Sequence, residues 1–115
     1  MNKILVIDDN KALNFIIKSI FKKNNFAVDF AYNGLDGLKL LRENDYDALI
    51  TDMNLPDISG MEILRSIQEL PLVKVLVAAY VDESKLKELK KLNAMIIEKP
   101  FSNDDLLETV QSRLG

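Results

Sequence analysis

Neither cysteine nor histidine occurs in this sequence. Without thiols there are no disulfides and no thiolate zinc sites. Without imidazole, no Ser-His or Cys-His catalytic arrangement can be assembled. Any metal chemistry must therefore rest on hard oxygen ligands. Long apolar runs are missing too: nothing approaches membrane-spanning length, and the run after Met1-Asn2-Lys3 is too short for a signal peptide. No long basic run is present and the formal net charge is −3, so this domain alone is expected to bind neither nucleic acid nor a membrane. What remains is an ordinary globular balance of 48% hydrophobic and 29% charged residues. At 115 residues the chain is expected to form a single domain with a real core, and cytoplasmic placement is the default.

The organising stretch is Ala48-Leu49-Ile50-Thr51-Asp52, a strand signal beginning near Tyr46 that climbs to one carboxylate. A proline-marked turn, Met53-Asn54-Leu55-Pro56-Asp57, follows at once. Upstream, Lys3 to Ile7 reads as a strand buried on both faces and closes on Asp8-Asp9-Asn10. Leu13, Ile16, Ile17, Ile20 and Phe21 then trace one face of a helix capped by Asn10 and ending near Asn24-Asn25. Phe26 to Ala31 alternates more and carries Asp29, as a strand nearer an edge would. Asn33-Gly34 punctuates, and Leu35, Leu38 and Leu41 mark a second helix stopping at Asn44.

After Ser59-Gly60 a helix carries Ile63, Leu64, Ile67 and Leu70, with Pro71 just past its end. Val73 to Ala79 reads as an apolar fourth strand. Asp82 to Leu92 reads as a helix with Leu86 and Leu89 on a thin stripe, ended by a left-handed Asn93. Met95-Ile96-Ile97 makes the fifth strand, and Ser102 caps a last helix holding Leu106, Leu107, Val110 and Leu114. Leucine, isoleucine and valine positions are expected in the core. The lysines and glutamates of the fourth helix (Glu83, Lys85, Lys87, Glu88, Lys90, Lys91) are expected to form a solvated face.

Five strand-helix units imply an α/β, doubly wound parallel sheet covered on both faces, with right-handed crossovers. Ligands of such sheets sit beyond the carboxyl ends of the strands. There stand Asp8, Asp9, Asp52, Ala78 and Lys99. Carboxylates crowded into one cleft repel unless a cation joins them, and Mg²⁺ takes carboxylates, a carbonyl and waters. A lysine suits a phosphoryl oxygen, and an aspartate so placed can form an aspartyl-phosphate. Taken singly, the acid pair could be a helix cap, Asp52 a turn residue and Lys99-Pro100 a helix start. Together, after strands one, three and five, they point to phosphorylation of Asp52.

The chain resembles, over essentially its whole length, the receiver domain of two-component response regulators. The residues that carry the resemblance are Asp8-Asp9, Asp52 in Asp-Met-Asn-Leu-Pro, Gly60 in Ser-Gly-Met-Glu, and Lys99-Pro100-Phe101. It implies a flavodoxin-like three-layer fold with strand order 2-1-3-4-5. It also implies transfer of a phosphoryl group to Asp52 from a phosphohistidine on a sensor histidine kinase or phosphotransfer protein. Mg²⁺ would be held by Asp9, Asp52 and the Asn54 backbone carbonyl, with Asp8 acting through water, and Lys99 would contact the phosphoryl group. The kinase would dock near Asn10, Leu13 and Asn14. An output partner or second copy would use the fourth helix, fifth strand and last helix. The domain is not expected to be an enzyme beyond its own phosphorylation and slow dephosphorylation.

Two positions depart from the family pattern. Ala78 stands where a Ser or Thr is usual, and Ile96 where an aromatic residue is usual. Both halves of the family's coupled switch are thus replaced, which leaves Tyr80 or another neighbour to carry a response. The alternative is a receiver-like interaction module with weak or absent phosphorylation-dependent switching. A haloacid-dehalogenase-type phosphatase is disfavoured because Asn54 stands where a second acid is needed. A dinucleotide fold is disfavoured because no G-x-G-x-x-G follows the first strand. With one helix after Lys99 and no output domain, the sequence fits either a stand-alone receiver, such as a phosphorelay intermediate, or a segment of a longer regulator.

Overall fold

The apolar runs become five parallel strands in the order β2-β1-β3-β4-β5. The computed structural model describes residues 1–114. In chain order the elements are β1 (Asn2–Ile7), α1 (Lys11–Lys23), β2 (Phe26–Ala31), α2 (Gly34–Glu43), β3 (Ala48–Asp52), α3 (Gly60–Ser66), β4 (Val73–Ala78), α4 (Glu83–Lys91), β5 (Ala94–Glu98) and α5 (Asn103–Leu114). This is the doubly wound arrangement the alternation of segments predicts, with β2 on an edge.

Successive strand residues point to opposite faces, and the core divides accordingly. Leu5, Ile7, Leu49, Leu76 and Ala78 pack with Leu41 of α2, Ile63 and Leu64 of α3 and Leu89 of α4. Ile4, Val6, Ile50, Val75 and Val77 pack with Ile17 and Phe21 of α1 and Leu106 and Val110 of α5. Each of the larger of these buried side chains contributes about 1.5–3 kcal/mol. A core of that size leaves room for a rim whose charges are not arranged for stability.

The caps expected at Asn10 and Ser102 form, and Ser59 adds one that was not expected. Asn10 Oδ1 accepts the Leu13 N–H, Ser59 Oγ the Glu62 N–H, and Ser102 Oγ the Asp105 N–H. Asn93 has φ 55° at the end of α4, the left-handed turn expected of it.

Other expectations need correction. β3 begins at Ala48; Tyr46 lies before it and donates its hydroxyl to Asp29. α3 stops at Ser66: the N–H groups of Ile67 and Leu70 reach only three residues back, to Leu64 and Ile67, so the helix tightens into turns before Leu70. β4 ends at Ala78 and is not apolar throughout, since Lys74 lies buried within it. Ile16, Leu35 and Leu86 are exposed although expected in the core; each lies on the outer flank of its helix stripe. Glu88 does not simply face water, because the Arg65 guanidinium donates to both of its carboxylate oxygens at 2.5 and 2.7 Å and ties α4 to α3.

Candidate functional site

Sheet register brings the acids together. Ile7 of β1 lies opposite Thr51 of β3, so the next residues, Asp8 and Asp52, leave neighbouring strands side by side. Each of Asp8, Asp9 and Asp52 offers a carboxylate oxygen within 4.8 Å of the others'. Asp8 and Asp52 are buried, whereas Asp9 is exposed. From the far side β5 delivers Lys99: Ala78 pairs with Glu98, and the Lys99 N–H donates to the Ala78 carbonyl at 2.9 Å. Its Nζ stands 3.0 Å from Asp52 Oδ1. That oxygen has no aligned hydrogen-bond donor, so charge more than direction holds the pair.

Local contacts fix the β1–α1 turn. The Asn10 N–H donates to Asp8 Oδ1 at 2.9 Å, and Asn14 Nδ2 donates to the Asp8 carbonyl at 2.8 Å. Burial pushes the Asp8 carboxyl above its usual range, with the charges of Asp52 and Asp9 adding to it; the Asn10 N–H and the Lys99 ammonium oppose the rise. The arrangement thus holds more negative charge than its one lysine neutralises. Clustered carboxylate oxygens with a backbone carbonyl nearby in sequence match the donor set of Mg²⁺. The residues present fit that ion.

The β3–α3 turn is set by a close approach. The Met53 N–H donates to the Val77 carbonyl and the Gly60 N–H to the Met53 carbonyl. A Cβ at Gly60 would collide with the Asp52 carbonyl oxygen, so only glycine lets α3 start this close to the end of β3. Asn54 is exposed in the turn. Of the two altered switch positions, Ala78 is buried at the end of β4 and Ile96 is partly buried opposite Leu76, while Tyr80 is largely exposed at 77%.

On α1, Asn10 is exposed and Leu13 partly buried, but Asn14 is 2% exposed and unavailable for docking. Phe15 and Ile16 are the exposed apolar residues there instead. Two roles were missed from sequence. Asn14 holds the Asp8 peptide, and Asp57 binds the start of α2. Asparagine on an otherwise apolar stretch was a faint signal for the first. The second has none, because Asp57 and Gly34 are 23 residues apart.

A cavity of about 730 Å³ lies away from these acids, at the amino ends of the strands. Asp47, Glu69, Lys74 and Lys91 are among its lining residues. Burial pushes the Lys74 ammonium below its usual range, Glu69 opposes this, and Nζ donates to the Gln68 carbonyl at 3.4 Å. That end of the molecule brings together none of the predicted site residues.

Residues 4–111 match the family described as the response regulator receiver domain. The chain is 28% identical over 115 residues to sporulation initiation phosphotransferase F of Bacillus subtilis (strain 168), covering 97% of this chain and 93% of that protein. It is 32% identical over 116 residues to the transcriptional regulatory protein CusR of Escherichia coli (strain K12), covering 97% of this chain but only 51% of that one. The chain therefore spans about half the length of CusR. Among solved structures it superimposes on a CheY-like response regulator receiver domain protein from Methanospirillum hungatei JF-1 with a TM-score of 0.93 at 26% identity, covering 99% of this chain and 94% of that one.

Proposed function

This chain belongs to the response regulator receiver domain family, and from that premise we propose that Asp52 is the acceptor of a phosphoryl group from a partner's phosphohistidine. A carboxylate oxygen of Asp52 attacks phosphorus in line; the P–O bond forms as the P–N bond to imidazole breaks, and the leaving imidazole nitrogen takes up a proton. Lys99 neutralises charge on the transferred phosphoryl oxygens. Asp9, Asp52 and the Asn54 carbonyl would hold Mg²⁺, with Asp8 acting through water. The ion would supply charge neutralisation at those same oxygens. The chain is the site of its own phosphorylation and slow dephosphorylation rather than an enzyme acting on other molecules.

The observation that carries this reading is the meeting of three carboxylates and the Lys99 ammonium at one rim. A sensor histidine kinase or phosphotransfer protein would dock on α1, where Phe15 and Ile16 are exposed beside the acid-bearing turn. An output partner or second copy would use α4, β5 and α5, and the setting would be cytoplasmic. Intact-mass analysis after incubation with Mg²⁺ and acetyl phosphate should show one added phosphate. Asp52→Ala should show none, and equal labelling of that variant would reject the assignment.

A second reading, a binding module with little phosphorylation-dependent switching, is favoured by one observation. Ala78 offers no hydroxyl to a phosphoryl oxygen and Ile96 no aromatic ring to reorient, so two differential contacts of a switch are missing. Labelling without any change in partner affinity or oligomeric state would select it.

A further inference from the structure

The loop after Asp52 carries the Asn54 carbonyl, yet its backbone has little holding it. Among the described residues, the hydrogen bonds linking residues 54–58 to another segment are the two that Asp57 accepts. Gly34 donates to its Oδ1 at 2.7 Å and Leu35 to its Oδ2 at 2.8 Å, while the Ile58 N–H closes the turn on Oδ1 at 2.8 Å.

These bonds complete the accounting at the start of α2. A helix leaves its first four N–H groups without intrahelical partners. Counted from the Asn33 cap, the last of these, Asp36, donates to Asn33 Oδ1, and the Asn33 carbonyl accepts the first regular helix bond, from Gly37. The N–H groups of Gly34 and Leu35 go to Asp57, in a loop 23 and 22 residues away. Contact is close enough that a Cβ on Gly34 would collide with the Ile58 side chain. Asp57 and Leu35 are exposed, so water could serve the Leu35 N–H without Asp57, whereas Gly34 is buried. What water could not do is fix the loop against α2.

We propose that Asp57 is a positioning residue for the acceptor site, setting the Asn54 carbonyl at the metal position by anchoring its loop to the first turn of α2. This rests on the reading of Asp52 as a Mg²⁺-assisted acceptor. It makes α2, which packs on β1 and β2, a partner of the site, whereas Ala78 and Ile96 belong to β4 and β5. Coupling between two sites is reciprocal, so Mg²⁺ must tighten the Asp57 bonds by the same factor that losing them weakens Mg²⁺.

Titration with Mg²⁺ alone, followed by amide NMR, tests this without any phosphodonor. In the unaltered chain the Gly34 and Leu35 amide signals should move with the same midpoint as that of Asp9. Asp57→Ala should weaken Mg²⁺ binding about tenfold, in the range found for residues that orient a metal's ligands. Asp57→Asn, which keeps one acceptor oxygen, should recover part of the loss and serves if the alanine variant folds poorly. Asp47→Ala, which removes a similar carboxylate bond to the Lys3 N–H at the other end of the sheet, should leave Mg²⁺ affinity unchanged. Silent Gly34 and Leu35 signals, or unaltered affinity in both Asp57 variants, would overturn the inference alone. Failure of the unaltered chain to bind Mg²⁺ would overturn the metal reading, and the inference with it.

Discussion

The two ends of the sheet handle charge in opposite ways. At the amino end charges are paired off: Lys3 Nζ lies 3.4 Å from Asp29, Tyr46 donates its hydroxyl to Asp29 at 2.7 Å, and Asp47 accepts the Lys3 N–H at 2.7 Å. Even the buried Lys74 has the Gln68 carbonyl and the neighbouring Glu69. At the carboxyl end Asp8, Asp9 and Asp52 face each other across less than 4.8 Å with one ammonium between strands. The same sheet thus has one end settled for stability and one left with unmatched charge. Local arrangements that disfavour stability are expected where chemistry is done. Substitutions at the two ends should therefore separate phosphorylation from stability.

The largest effect is expected at Lys99. Lys99→Ala removes the positive charge beside Asp52 Oδ1. Loss of one preorganised electrostatic contact typically slows a reaction by about 10²–10³. The rate of phosphate incorporation from acetyl phosphate should fall by about that factor. A loss of less than about tenfold would mean that the rim does not depend on its lysine and would undo the contrast between the ends.

The amino end should behave the other way. Burial, then the hydrogen bond and charge of Asp29, push the Tyr46 hydroxyl above its ordinary value and keep it a donor. Tyr46→Phe leaves that carboxylate with Lys3 alone and should cost about 1.5 kcal/mol in urea unfolding, with labelling of the folded protein unchanged. At the acid rim the sign reverses. Asp8→Asn keeps an acceptor for the Asn10 N–H but removes one crowded charge. Unfolding in EDTA should show this variant more stable than the unaltered chain. A destabilised Asp8→Asn protein would show that the acids are as well matched as the amino end.

The contrast explains what could be read in the sequence. Strand and helix periods, the Asn10 and Ser102 caps and the left-handed Asn93 are local, and they lead to the doubly wound fold with residues 8, 52 and 99 at strand ends. The acid cluster follows from topology alone, since parallel strands deposit their last residues on one rim. Errors arose where a partner distant in sequence decides. The buried Lys74 donates to the Gln68 carbonyl in the turns after α3, Glu88 is engaged because Arg65 reaches across from α3, and Tyr46 donates to Asp29 of β2. Asp57 belongs to this class, and no spacing rule connects it to Gly34 and Leu35. Exposure of Ile16 and Leu35 was illegible for another reason: an apolar stripe shows which face is buried but not how wide the covering sheet is.

Asp57 is the exception on the acid rim, and pH isolates it. Burial alone would raise its carboxyl, but the N–H groups of Leu35, Gly34 and Ile58 outweigh that and hold it below its ordinary value of 3.8. Between the lowered native value and 3.8 the unfolded chain binds more protons than the native one, so native stability falls as pH falls. The contribution of Asp57 is complete above 3.8 and disappears as pH drops through the lower, folded value. Because the group is exposed, solvent screening limits it to a few tenths of a kcal/mol. Most other carboxylates contribute equally to both proteins in a comparison of the unaltered chain with Asp57→Asn, so the difference in unfolding free energy isolates the group. That difference should be flat above about pH 5 and shrink steadily below 3.8. A difference that stays constant into strong acid would mean that Asp57 holds α2 as a neutral group, and the anchor of the Asn54 loop would then be no stronger than an asparagine.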